Sequence, residues 1–169
     1  MGGFDLGGTF GSWEPQGPRI VVVESNDGVD KVVFLDEKKG LLGTPSPDFG
    51  GKAFRLGNVV WSRDGKTLYA SSCTKGEQEN SSDYWLAEIP VAGAPSRLTR
   101  IAHINALSID HLEDDLIFSM RVSLSPDGNL IAATPANLGK DNIAEADRAL
   151  FLIDVQHPAH RITRIPIPE

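Results

Sequence analysis

The sequence predicts an all-β chain built as three four-stranded antiparallel units, and three observations predict it. One short turn phrase occurs three times: Trp13-Glu14-Pro15-Gln16-Gly17-Pro18-Arg19-Ile20, Trp61-Ser62-Arg63-Asp64-Gly65-Lys66-Thr67-Leu68 and Leu124-Ser125-Pro126-Asp127-Gly128-Asn129-Leu130-Ile131. Short β-branched or small-residue runs follow each phrase in the same order. Helical spacing of apolar residues is almost absent; the only candidate helices, 142–148 and 109–114, are short and fall in loops. A repeat of this length is one supersecondary unit that cannot bury its own apolar faces, so neighbours must stack.

Each unit reads as four strands. The first leads into the turn. The second follows it, as Ile20-Val21-Val22-Val23-Glu24, Leu68-Tyr69-Ala70-Ser71 and Ile131-Ala132-Ala133-Thr134. The third is Val32-Val33-Phe34-Leu35-Asp36, Tyr84-Trp85-Leu86-Ala87-Glu88 and Leu150-Phe151-Leu152-Ile153-Asp154, each ending on a carboxylate. The fourth is clearest as Arg97-Leu98-Thr99-Arg100-Ile101 and Arg161-Ile162-Thr163-Arg164-Ile165; the first unit has only the weaker Leu41-Leu42-Gly43-Thr44.

The turn itself has a physical rationale. In Ser-Pro-Asp-Gly, Pro presets φ for the first central position, Asp suits the second, and Gly accepts a left-handed conformation that makes a bulge. Gly17, Gly65 and Gly128 hold that last place, where a β-branched residue should cost about 1–2 kcal/mol. Asp64 and Asp127 are then turn formers rather than an acid pair.

Spacing places the variation in loops. Trp13 to Trp61 is 48 positions, Trp61 to Leu124 is 63, and Arg97 to Arg161 is 64, so the last two units are expected to keep register. Insertions fall at 73–83, 102–115 and 135–147. The expected divisions are a glycine-rich lead-in with the first strand at 1–12, then blades at 13–48, 49–102 and 103–169.

These phrases resemble the β-propeller repeats of the TolB type, which are themselves similar to WD-repeat blades. The family phrase is an apolar or Trp position, Ser-Pro-Asp-Gly-Lys, an apolar strand, a strand ending in Asp, and an Arg-Leu-Thr-like last strand. The second unit departs from it at Arg63, the third has Asn129 for Lys, and the first has Glu14 for Ser and Gln16 for Asp. The resemblance spans roughly residues 7–167. It implies three propeller blades and favours a periplasmic or other extracytoplasmic setting. It implies little about activity, because one fold hosts many functions. Propellers typically close with 4–8 blades, so three leave a blade face open at each end. Association would cover those faces; a fragment of a longer propeller, or a sandwich of the same strands, are the alternatives.

Composition narrows the partners. The 169 residues are 40% hydrophobic with a net charge of −7. That fits a globular acidic protein and argues against nucleic acid or an anionic membrane surface, which need clustered Lys and Arg. No run approaches the ~18 apolar residues of a membrane span, and the start shows no basic stretch followed by an apolar run. Cys73 is a single cysteine, so no internal disulfide forms.

Candidate chemistry is sparse. His103 and His111 flank a loop with Asp110, Glu113, Asp114 and Asp115, but no ligand spacing emerges, and a solvated acidic loop is the reading. His157 and His160 flank a turn and read as surface residues. No Gly-x-Ser-x-Gly elbow, phosphate loop or cysteine–histidine pair is found. Trp13 and Trp61 occupy equivalent positions and read as packing between sheets; Trp85 matches Val33 and Phe151 and reads the same way. Arg55 and Arg121, in strands that run nearest a propeller axis, are the candidate binding residues for an anion or an acidic tail.

The expectation is a non-enzymatic protein–protein interaction or assembly module, a homo-oligomer or a subunit of a larger complex, with no cofactor. The alternatives are the substrate-gating or sensor part of a hydrolase or other enzyme, or a ligand- or metal-binding propeller.

Overall fold

The computed structural model describes residues 11–26, 29–43, 55–75, 81–93, 95–105, 120–135 and 149–167. They form β1 (Ser12–Trp13), β2 (Arg19–Asn26), β3 (Val29–Asp36), β4 (Gly40–Gly43), β5 (Arg55–Trp61), β6 (Thr67–Lys75), β7 (Ser81–Pro90), β8 (Arg97–Asn105), β9 (Met120–Leu124), β10 (Leu130–Pro135), β11 (Ala149–Asp154) and β12 (Arg161–Pro166). The candidate helices at 142–148 and 109–114 lie outside the described residues.

The strands make three four-stranded antiparallel sheets, ordered β1-β2-β3-β4, β5-β6-β7-β8 and β9-β10-β11-β12. Every pairing joins sequence neighbours, so each sheet is assembled locally and only the seams between sheets are long-range. The sheets approach one another mainly along β5 and β9, with β5 also against β2. This is the arrangement of blades in a partial three-bladed propeller, first strand innermost.

Register ties the units together. Trp13 stands opposite Ile20, Trp61 opposite Leu68, and Leu124 opposite Ile131. Because side chains alternate across a strand, each such pair lies on the same face of its blade. One core joins Val21, Val23, Val32 and Phe34 of the first blade to Val59, Trp61, Leu68, Ala70 and Ile89 of the second. The other joins Tyr69, Tyr84, Leu86, Ile101 and Ile104 of the second to Met120, Val122, Ile131, Ala133, Phe151 and Ile153 of the third. The middle blade is thus covered on both faces. Burial of each large aliphatic or aromatic side chain stabilises by about 1.5–3 kcal/mol.

Two of the three turns are wired identically. The Ser62 amide donates to the Thr67 carbonyl (2.8 Å) and the Gly65 amide to the Ser62 carbonyl (3.0 Å). The corresponding Ser125–Leu130 and Gly128–Ser125 bonds are 2.8 and 2.9 Å. The Asp64 carboxylate accepts from the Ser62 hydroxyl and the Lys66 amide, as Asp127 does from Ser125 and Asn129. Those hydrogen bonds, the serine hydroxyl first, hold both carboxyls below the usual aspartate range. Gly65 and Gly128 have φ of 70° and 78°, in the left-handed region.

Gly17 departs from the expectation of a left-handed glycine, since its φ lies outside that region. The physical reason is Pro18, whose ring confines the preceding residue to extended backbone. The first turn still closes through the Glu14 amide and Arg19 carbonyl (2.8 Å). A Glu14–Arg19 ion pair with two hydrogen bonds replaces the Ser–Asp wiring. Gly17 instead leaves room for the Glu14 carboxylate, whose flexible end a Cβ there would displace.

The third-strand alignment also needs correction. Asp36 pairs with Arg19 and Asp154 with Leu130, both at the end of their hairpins, whereas Pro90 occupies that place opposite Thr67. Glu88 lies two residues earlier, opposite Tyr69. Asp36 and Asp154 cap the following turns by accepting two backbone amides each. Trp85 shifts with Glu88. It pairs with Ser72, matches neither Val33 nor Phe151, and sits half-buried with its indole N–H donated to Thr74 Oγ1 at 3.1 Å. The fourth strands shift too: Arg97 pairs with Glu88, while Arg161 pairs with Asp154. Strand pairing, not a shared carboxylate ending, sets equivalence between the units.

Candidate functional site

The two tryptophans at equivalent positions meet opposite fates. Trp61 is 3% exposed; it stacks on Phe34 with ring centroids 5.3 Å apart and donates its indole N–H to the Ser12 carbonyl at 2.9 Å. The Arg19 guanidinium lies 5.1 Å from the Trp61 ring and 5.3 Å from Phe34, a cation–π lid over the pair. Trp61 therefore does the inter-sheet packing expected of it. Trp13 does not: it is 61% exposed. Trp61 points from its own blade into the one before it. Trp13 points the same way from the first blade, where the described residues supply no sheet. Val22 and Val33, both buried, Ile20 and Leu35, half-buried, and Leu41, exposed, share that face, so its exposed part is the rim at Trp13 and Leu41.

The far side of the third blade is the complementary end. Strand alternation puts Arg121 and Ser123 of β9, Leu130, Ala132 and Thr134 of β10, and Leu150 and Leu152 of β11 on it. Leu130 is 38% and Ile165, paired with Leu150, 40% exposed. The apolar part of this face therefore runs from β10 to β12, with Arg121 and Ser123 of the inner strand along its edge.

A third feature lies between the turns. A shallow depression of about 490 Å³ is lined by Gln16, Ser62, Arg63, Asp64, Thr67, Tyr69, Asp127 and Gln156. Its floor is made by turn stacking on turn. Arg63 passes over Gly128, where a Cβ would stand 3.0 Å from Arg63 Cβ, and its guanidinium reaches the Asp127 carbonyl at 3.4 Å. Glu14 lies over Gly65 in the same manner. The carboxylates here are engaged by their own turns.

A fourth feature was not foreseen. His160, expected at the surface, is 3% exposed. Its Nε2 lies 3.1 Å from Glu88 Oε1 and its Nδ1 2.9 Å from Thr99 Oγ1. Arg97 holds the other Glu88 oxygen at 3.6 Å and donates to the Pro158 carbonyl at 2.6 Å. His160 adopts φ of 47°, its amide closing on the His157 carbonyl. A left-handed non-glycine residue costs about 1–2 kcal/mol, which these cross-blade bonds offset. Burial pushes its pKa below the ordinary value despite the neighbouring Glu88 carboxylate. A hydroxyl, an imidazole and a carboxylate in line have the order used in nucleophilic catalysis. With the imidazole sealed from solvent, however, this line works as a clamp between the second and third blades. The local signal is only the tight reversal His157-Pro158-Ala159-His160; which histidine turns inward is set by Glu88 and Thr99 of the second blade.

The remaining residues fall as follows. Arg55 opens β5 and its side chain lies outside the described residues. Arg121 is exposed on β9 opposite Thr134. Three positions before Leu124, it matches Asn58, three before Trp61; Asn58 grips the next blade by accepting the Val122 amide at 2.8 Å. Arg55 and Arg121 therefore do not hold equivalent places. His103 pairs with Asp83 at 2.9 Å, beside Arg100 at 2.5 Å. His111 and its acidic neighbours lie outside the described residues. Cys73 is buried opposite Tyr84. Among the described residues, no group of three or more His, Cys, Asp or Glu is placed to hold a metal ion. Nor, among them, is any helix long and apolar enough to cross a membrane.

No family model and no curated protein matches the chain. Among solved structures it is similar to the hydrazine synthase of Kuenenia stuttgartiensis, at 13% identity over 98% of this chain and 68% of that one, with a TM-score of 0.32. It is also similar to a putative 6-phosphogluconolactonase from Bacteroides fragilis, at 14% identity over 88% of this chain and 54% of the other, again with a TM-score of 0.32.

Proposed function

We propose that the chain is a non-enzymatic assembly module, a partial propeller of TolB-type repeats whose open blade faces are covered by association with protein. The observation that carries this reading is Trp13. An indole 61% exposed, at the position where Trp61 is buried against a neighbouring blade, is a packing residue with no such blade beside it among the described residues. Leu41 near it, and Leu130 and Ile165 at the far end, are exposed apolar side chains as well. Contiguous apolar surface of this kind marks interaction sites. Arg121 borders the third-blade face, where it is suited to meet a carbonyl or carboxylate of the partner.

Native mass measurement with acrylamide quenching of tryptophan tests the reading. The purified chain is expected as a defined complex in which an exposed tryptophan has become shielded. A monomer that stays monodisperse at high concentration, with one tryptophan fully accessible, would overturn it.

A further inference from the structure

The exposed Trp13 rim of the first blade and the exposed Leu130 side of the third fit each other, and the seam between the first and second blades shows how. Trp61 makes three contacts with the blade before it: the Ser12 carbonyl, the Phe34 ring and the Arg19 guanidinium. Counting from the turn and following the strand pairs, the third blade offers the same three places. Ser123, immediately before Leu124, stands where Ser12 stands before Trp13. Leu130, paired with Asp154, stands where Arg19 pairs with Asp36; Leu152 stands where Phe34 does. Two of the three become aliphatic, and Leu130 is 38% exposed.

We infer that Trp13 of one copy of this chain seats on the third blade of a second copy. Its indole lies between Leu130 and Leu152, and its N–H is donated to the Ser123 carbonyl. This deepens the assembly reading above and rests on it. The contact is heterologous, joining two different faces, so it must either close a ring or propagate. Two chains contribute six blades, within the 4–8 that close a propeller, and the seam then repeats twice. Each chain carries a charge of −7, so the contact works against net repulsion and through apolar surface. Moderate salt should therefore strengthen rather than dissolve it.

Two variants and their mixture test the pairing, read by sedimentation velocity, with circular dichroism confirming the fold. Trp13→Ala removes the knob and Leu130→Glu spoils the socket; both positions are exposed, so neither change should unfold a chain. The wild type is expected at the mass of two chains, and each variant alone at least ~10-fold weaker in association. An equimolar mixture should associate more tightly than either variant alone, because one intact Trp13 then meets one intact third blade. A two-chain species indifferent to both variants would overturn the pairing while leaving the assembly reading standing. A mixture no tighter than the variants would show a contact between like faces and overturn it too. An open-ended series of masses would overturn ring closure. A wild type that is monomeric throughout would sink the assembly reading with it.

Discussion

The seam between the first and second blades is built on one stacked aromatic column; the seam between the second and third mixes Tyr69, Tyr84 and Phe151 with aliphatic side chains, without a ring stack among the described residues, and has polar bonds at its edges. In the former, Trp61, Phe34 and Arg19 stack into one column. In the latter, Leu124 stands where Trp61 did, packed beside Ile131, Ile153 and Phe151. Asn58 and the Glu88–His160–Thr99 line pin its inner and outer edges. The same repeat therefore fixes the hairpin geometry and leaves the chemistry of the seam open, provided each face stays apolar. Both seams carry directional bonds, from Trp61 to the Ser12 carbonyl in the first and at Asn58 and His160 in the second, but only in the first does the bond come from the stacked ring itself.

The most forceful way to break this contrast is Trp61→Ala. Loss of a buried tryptophan costs about 3–5 kcal/mol, and the loss should be confined to one seam. Urea unfolding with hydrogen exchange is expected to show first-blade amides losing protection while third-blade amides keep theirs. Trp13→Ala, measured at dilution where chains are separate, should stay within about 0.5 kcal/mol of wild type. Equal costs at the two tryptophans would mean that the first blade's outer face is already covered within the chain.

The turns provide the next contrast. Gly128→Val places a β-branched residue at φ of 78° and drives a Cβ to 3.0 Å from Arg63 Cβ. A cost of about 1–3 kcal/mol is expected from thermal or urea unfolding. Gly17→Ala should cost less, because its backbone is not left-handed and the obstruction is the flexible end of Glu14. If the two cost the same, turn stacking rather than backbone conformation limits both sites.

How much of this was legible beforehand follows from what each residue must do. Gly65, Gly128, Asp64 and Asp127 announced two hairpins because left-handed glycine and a capping carboxylate leave few alternatives. The second strands were readable as β-branched runs. Glu88 was misaligned because a carboxylate after an apolar run looks the same whether it caps a turn or lies inside a strand. Only pairing with Tyr69 tells them apart. Trp13 and Trp61 read alike because the text records equivalence but not whether a neighbour is present. His160 was hidden because its burial depends on Glu88 and Thr99, which lie far back in the sequence in another blade.

Asn58→Ala sharpens the comparison at the inner edge of the second seam. It removes the acceptor for the Val122 amide, and a net hydrogen bond is worth about 1 kcal/mol. The expected signature is faster exchange at β9 with β5 unchanged. Unaltered β9 protection would show that apolar packing alone sets that seam.

The smallest effect is pH-dependent and belongs to His160. Its pKa in the fold lies below 6.5, chiefly through burial, with Glu88 and Asp154 opposing and Arg97 reinforcing that shift. The unfolded chain then binds a proton that the folded chain refuses, so stability rises with pH across the interval. The contribution is complete above about pH 6.5 and is lost as pH falls from there through the depressed folded value. Asp64 and Asp127, also depressed, titrate in a separate window below 3.8. Urea midpoints between pH 5 and 8 should therefore decline on the acid side for the wild type and run flatter for His160→Gln. A midpoint that instead climbs toward pH 5 would mean that the imidazolium–Glu88 pair outweighs burial. The second seam would then be held by an ion pair rather than by a neutral clamp.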